Sequence, residues 1–390
     1  MLNVELVKSA MTRLGLTGTA LAEACDVSKE AVSNWLNGES IPRPSKLASL
    51  ASALKVSVES LFVPDPSEPP APVIAFRTRM NRVPSLEAQE AGEEVGRHLR
   101  QLLPFMGPLF TPRHIVEPKV DESLIEDAAK AVRGPLGLGP TEAVTHGHLL
   151  QVLKTFGAVL VPVYWGGEKV GHENAMSVYL PDSKSSWVLF NVGCRLDDFS
   201  YWLAHELGHC LTLHSLAGDA GEKFAELFAQ TLLFPKDLAR KALSDIRSSK
   251  NPMKLVYWYA GTYGVSVVAI VKAVDKAARA AKEPVTGLET PGFFAKWKQD
   301  GKTARTASDE LFGVTKPSAR ELVAKGEQVF GTPVFRALAR WQRSEGGRSP
   351  SFVAAALNLK LGDAIELSRA LDELQDWGCP KFCKRPAKSS

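Results

Sequence analysis

The chain has 390 residues, 45% hydrophobic and 23% charged, with 47 Lys and Arg against 43 Asp and Glu. That length suits two or three domains, and the apolar fraction is ample for the packed cores of a globular, soluble protein. A secretory leader is not expected, because residues 1–16 carry Glu5, Lys8 and Arg13. Nor is a membrane span, since no run of about 18 residues is apolar and uncharged.

Five cysteines, at positions 25, 194, 210, 379 and 383, form no disulfide framework and suit a reducing compartment, so a cytoplasmic protein is expected. Cys379 and Cys383 have a metal-like spacing but no further ligands nearby, and are read as structural or free thiols. The charge is uneven. Residues 1–65 hold six cations against seven anions, and residues 291–390 seventeen against eleven.

In chain order, residues 4–14 and 19–25 predict two helices, residues 26–28 a tight turn, and residues 29–37 a third helix stopped by Gly38. Pro42 and Pro44 bracket a loop, and helices follow over 45–54 and 56–62. A helix, a short turn and a helix opening on small polar side chains is a helix-turn-helix layout.

This segment resembles the XRE family of helix-turn-helix domains. The matching residues are Leu21-Ala22, Val27-Ser28, Val32-Ser33-Asn34-Trp35, Asn37-Gly38, Pro42, Leu47, Leu50-Ala51 and Leu54-Lys55-Val56-Ser57. The resemblance implies a five-helix unit over 1–62 that binds an operator in double-stranded DNA. Its third helix would enter the major groove with Lys29, Ser33 and Asn34 at base edges, while Arg43 and Lys46 lie near phosphates. Such domains commonly bind pseudo-palindromes as dimers, so a homodimer is expected. The competing reading is a helical bundle for protein contacts, which the lack of net positive charge favours.

A Pro-rich linker is expected over 63–84, then a helix over 85–103 and another over 124–133, with Gly137-Leu138-Gly139-Pro140 closing that segment. Residues 148–156 read as a helix, and 159–163 and 186–190 as strands. A helix over 198–213 then carries His205-Glu206-Leu207-Gly208-His209. On a helix, imidazoles at i and i+4 lie about 40° apart and both reach one metal ion. The pattern is that of a zinc peptidase, with Glu206 the base for a zinc-activated water. The bland alternative is an amphipathic helix with two incidental histidines.

A third ligand is needed. His214, five residues past His209, is rotated about 140° away on a continuing helix and is read as supporting or structural. Glu222 and Glu226, one turn apart on a helix over 221–233, are the candidates, one to ligate and the other to accept a hydrogen bond from a liganding imidazole. Further helices are expected over 252–263 and 266–282. Residues 291–390 read as a basic, mostly helical segment in which 350–371 faintly echoes a second helix-turn-helix.

Residues 120–275 resemble the ImmA/IrrE metallopeptidases. The matches are Ile125-Glu126, Ala128, Val132-Arg133, Leu138-Gly139, Leu153, Gly157, Phe190-Asn191, Leu203 through His209, Glu222, Phe228-Ala229, Leu232 through Pro235, and Tyr263 through Ser266. The resemblance implies a gluzincin-like α+β domain with a small sheet over 85–285, zinc held by His205, His209 and Glu222, and Glu226 supporting them. Glu226 stands where the family often has Asn. Another divalent transition metal such as manganese is the alternative to zinc. Tyr179, His172 and Tyr263 are candidate oxyanion donors.

The fold class expected is therefore multidomain and mainly α, ending in a helical domain over 291–390. The expected function is a stress-responsive regulator whose endopeptidase cuts a helix-turn-helix repressor, or itself. The alternatives are a non-enzymatic DNA-binding sensor or a component of a toxin-antitoxin pair.

Overall fold

The computed structural model describes residues 2–56, 58, 61–62, 69–75, 86–110, 112–166, 174–289, 305–344 and 349–374. The chain divides into two compact units, Met1–Pro70 and Ala71–Ser390.

The first unit contains helices α1 Val4–Leu14, α2 Gly18–Cys25, α3 Lys29–Leu36 and α4 Pro44–Leu54. Three residues turn α2 into α3. Asp26 adopts the left-handed conformation at φ 50°, the Val27 amide donates back to the Ala22 carbonyl at 3.0 Å, and the Ser28 hydroxyl caps α3 by accepting from the Ala31 amide. Leu21, Leu50, Leu54 and Leu61 are fully buried, and Val32 and Trp35 hold α3 against them. Pro44, expected in a loop, is the first residue of α4, where its missing N–H leaves no bond unmade. The helix expected over 56–62 falls partly outside the described residues. Its end forms a bridge between Leu2 and Phe62.

The second unit is built on a four-stranded sheet of order β1-β3-β4-β2, with β1 Val73–Ala75, β2 Val159–Val163, β3 Ala175–Leu180 and β4 Ser185–Asn191. β3 lies antiparallel to both neighbours, and β2 runs parallel to β4. Every residue of β2, β3 and β4 is buried. Helices covering both faces explain the near-continuous apolar runs of β2 and β4. α8 Leu196–Thr212 covers the face that bears Ser177. α5 Leu86–Met106 covers the opposite face, where a Cβ on Gly96 would stand 3.3 Å from Val178.

Between them in sequence lie α6 Glu122–Arg133 and α7 His146–Phe156, and α8 is followed by α9 Gly218–Leu233, α10 Lys236–Ser248, α11 Pro252–Tyr263 and α12 Val267–Ala280. No single helix among the described residues is long and apolar enough to cross a membrane. The pair α11 and α12 reaches that composition only together, bent by 109°.

The structure departs from the expected domain boundaries in two places. Within the expected linker, Pro72 is buried and residues 73–75 form a sheet strand, because a short β-branched run follows the last proline. Most of the remaining linker lies outside the described residues. The second departure is the C-terminal segment, with helices α13 Ala307–Phe312, α14 Ala319–Phe330, α15 Val334–Arg343, α16 Pro350–Leu357 and α17 Leu361–Glu373. It shares one hydrophobic core with residues 95–278. Phe330 packs edge-on to Phe190 of β4 at 4.8 Å, and the Trp165 indole donates to the Leu357 carbonyl. Its basic side chains gave it a distinct composition, but its apolar face completes the cover of the sheet. α16 and α17 do form a helix pair over the faint second helix-turn-helix, and it is packed on α5.

Candidate functional site

α8 is fixed at its start by the C-terminal segment. The Leu196 amide donates to the Arg305 carbonyl at 2.8 Å, and the Ala307 and Ser308 amides donate to Cys194 and Val192. From that anchor the helix runs beneath the sheet, with His205 0%, Glu206 2% and His209 2% exposed. These groups are desolvated, so each needs a specific partner.

A tight approach of α8 and α9 supplies one. A Cβ on Gly208 would stand 2.9 Å from the Ala225 backbone and 3.3 Å from Phe228, so only glycine permits the helices to close at that level. The closure brings Glu222 to both imidazoles. His205 Nε2 and His209 Nε2 are 3.1 Å apart, Glu222 Oε1 is 3.1 Å from His209 Nε2, and Glu222 Oε2 is 3.4 Å from His205 Nε2.

These three residues form the group whose donor atoms converge on one point. Donors on a tetrahedral zinc ion with bonds of about 2.05 Å stand about 3.3 Å apart, so the spacing and the two-nitrogen, one-carboxylate set suit zinc with a fourth position open. Burial raises the Glu222 carboxyl, but hydrogen bonds and charge from His205 and His209 outweigh it and hold the group at about 2.

Glu206 Oε2 accepts from Ser177 Oγ of β3 at 2.5 Å. Ser177 was not singled out in the sequence, because strand 175–180 was not foreseen. A lone serine inside Ala-Met-Ser-Val-Tyr-Leu, flanked by Asn174 and Pro181, was the available signal. Burial and the nearby Glu206 charge push the Cys210 thiol well up, leaving it protonated.

Glu226 does not take the supporting role expected of it. One turn past Glu222 on α9, about 6 Å further along the helix axis, it makes no hydrogen bond to either imidazole among the described residues. His214 lies beyond the end of α8 at Thr212, so the rotation expected of a continuing helix does not apply; it stays outside the donor group and stacks on His114 with ring centres 4.3 Å apart. Tyr179 is the expected donor that lies beside the site, two residues from Ser177 on the same face of β3 and edge-on to His114 at 5.3 Å. Tyr263 lies elsewhere. Its hydroxyl donates to the Thr141 carbonyl at 2.8 Å and its ring stacks on Tyr259. His172 lies outside the described residues, as do Cys379 and Cys383.

Two supporting residues behind the site also escaped assignment. Arg133, buried at the end of α6, donates to the Leu232 carbonyl at 2.6 Å and to the carbonyls of Gly139 and Glu142, tying the end of α9 to the loop after α6. Asn191 at the end of β4 accepts from the Trp165 and Gly193 amides and donates to Asn174 Oδ1. Both were seen only as family-matching positions.

In the first unit, Lys29, Ser33 and Asn34 lie exposed on α3, and Arg43 is exposed at the start of α4. Lys46 pairs with Asp26 at 3.0 Å, at the turn between α2 and α3. No curated protein and no solved structure matches the chain. Residues 7–61 match the helix-turn-helix family model, and the first unit is a helix-turn-helix domain of the kind that binds double-stranded DNA in transcriptional regulators.

Proposed function

We propose that this DNA-binding regulator carries in its second unit a zinc-dependent endopeptidase. The convergence of His205, His209 and Glu222 beside a buried Glu206 is the observation that carries the reading. The resemblance of residues 120–275 to the ImmA/IrrE metallopeptidases supports it. Zinc held by those three residues would supply the Lewis acidity that makes water nucleophilic near neutral pH and polarises a carbonyl.

Glu206 accepts the proton of the attacking water and returns it to the leaving amine. Ser177 holds that carboxylate in one orientation, and the Tyr179 hydroxyl would donate to the developing oxyanion. The substrate is a helix-turn-helix repressor, whose cleavage relieves repression under stress. The first unit brings the peptidase to operator DNA as a homodimer, with Lys29, Ser33 and Asn34 at base edges and Arg43 near phosphates.

The test measures zinc content and repressor cleavage together. His205→Ala, His209→Ala and Glu222→Ala should each lose the metal, whereas Glu206→Gln should keep one zinc per chain and lose cleavage. Full stress response by Glu206→Gln would sink the enzyme reading in favour of a metal-holding sensor.

A further inference from the structure

β1 lies in an unusual place for the first strand of this unit. It pairs antiparallel with the free side of β3, in the register Val73 to Tyr179, Ile74 to Val178 and Ala75 to Ser177. Ala75 therefore stands directly opposite the serine whose hydroxyl holds Glu206, at a cross-strand Cα spacing of about 5 Å. On the other side β1 meets α9, the helix that carries Glu222. The strand thus runs between the edge of the sheet and α9.

Side-chain alternation divides β1 between two surroundings. Val73 and Ala75 point to the face of Ser177 and Tyr179, where they share a small apolar cluster with Tyr179 and with Leu213 at the end of α8. Ile74 points to the face of α5, and Pro72 fits against Gly96 of that helix. This is how an extended peptide adds to a sheet edge, with main-chain bonds giving affinity and alternate side chains giving selectivity.

We propose that the β3 edge beside Glu206 is a binding site for an extended peptide with small or β-branched apolar residues at alternate positions, and that Val73–Ala75 fill it in cis as a competitor of substrate. The inference deepens the peptidase reading and rests on it for the word substrate. A tethered segment acts at an effective concentration on the order of mM, so untethered peptide gains access only when the segment is displaced. The segment follows the DNA-binding domain in the chain, which makes peptide access dependent on a stretch that directly joins the two functions.

The test uses the full chain, zinc-loaded, carrying Glu206→Gln so that nothing is cut, and a fluorescein-labelled peptide with the sequence of residues 69–78. Two variants displace the strand. Val73→Lys with Ala75→Asp places charge in the apolar cluster, and Ala75→Pro removes the ladder donor opposite Ser177 without adding charge. Circular dichroism and zinc content identify the variants that remain folded.

Fluorescence polarisation should show the peptide binding at least about tenfold tighter to the displaced variants than to the undisplaced chain, as expected when a tethered competitor is removed. Equal affinity would overturn the proposal and leave β1 as an ordinary fourth strand. With Glu206 restored, cleavage of β-casein should rise by a similar factor. Mass spectrometry detecting a cut within residues 69–78 of the wild-type chain would make the segment a substrate and overturn its role as competitor. If the peptide binds tighter yet no variant cuts casein, the strand site stands and the peptidase reading falls.

Discussion

Ser177 shows how much a single side chain decides at this site. Glu206 is buried, and a carboxylate taken out of water is held in place by the donors aimed at it. The Ser177 hydroxyl at 2.5 Å is such a donor, and hydrogen bonds to charged groups contribute about 1.5–3 kcal/mol. Ser177→Ala should lower kcat by about 10- to 100-fold while zinc affinity stays unchanged, since Ser177 touches none of the three donor residues. A parallel loss of zinc would show that the serine supports the fold of the site and not the orientation of its base.

His114 makes a second residue-scale prediction. Burial, and then the neighbouring His214, lower its pKa from 6.5 to about 4. Between those values the unfolded chain takes up a proton that the folded chain refuses, so folding stability falls as pH drops from 6.5 to about 4 and loses nothing more from this group below that. His114 is only half-buried, and solvent screening reduces the contribution to about 1 kcal/mol. The Tm of His114→Phe, followed across that window, should decline less steeply than that of the wild type. Parallel curves would remove the imidazole from the acid response.

At the scale of elements, the pair α8 and α9 is the device that makes three separate residues into one site. Their closest level is Gly208 against Ala225, and Glu222 reaches the imidazoles because nothing stands between the helices there. Gly208→Ala adds a methyl where the Ala225 backbone already lies at 2.9 Å, and such overpacking costs about 1–3 kcal/mol. The variant should unfold at lower temperature and bind zinc at least about tenfold more weakly, since each 1.4 kcal/mol is a factor of ten. Isothermal titration with zinc and a thermal melt separate the two effects.

The same pair shows what was legible in advance. Helical periodicity placed both imidazoles on one face and both glutamates on another helix, because those relations are local. Periodicity alone left Glu222 and Glu226 open and the family resemblance chose Glu222; the reach of that residue to the imidazoles depends on the crossing of two helices, which no local pattern encodes. β3 escaped for a related reason. It is buried on both faces, so it lacks the polar-apolar alternation that marks a half-buried strand, and its serine looked incidental until the strand lay over α8.

The whole molecule resolves a question that composition answered differently. The charge excess after residue 291 suggested a separate basic domain, yet the apolar residues of that segment belong to the core around the sheet. Phe330 and Phe335 are buried there, and the backbone of residues 305–308 supplies partners to residues 192–196 at the start of α8. Removing residues 291–390 would bare the far end of the sheet and leave those buried backbone groups without partners, a cost that accumulates at about 1–3 kcal/mol per group. Domain stabilities of about 5–15 kcal/mol do not absorb such a loss. A chain ending at residue 290 should therefore lose cooperative unfolding of its second unit and fail to retain zinc. Residues 1–70 have their own core and should melt as before. Calorimetry of the two chains decides the matter: an intact high-enthalpy transition with stoichiometric zinc in the shortened chain would restore the separate C-terminal domain that the charge pattern suggested.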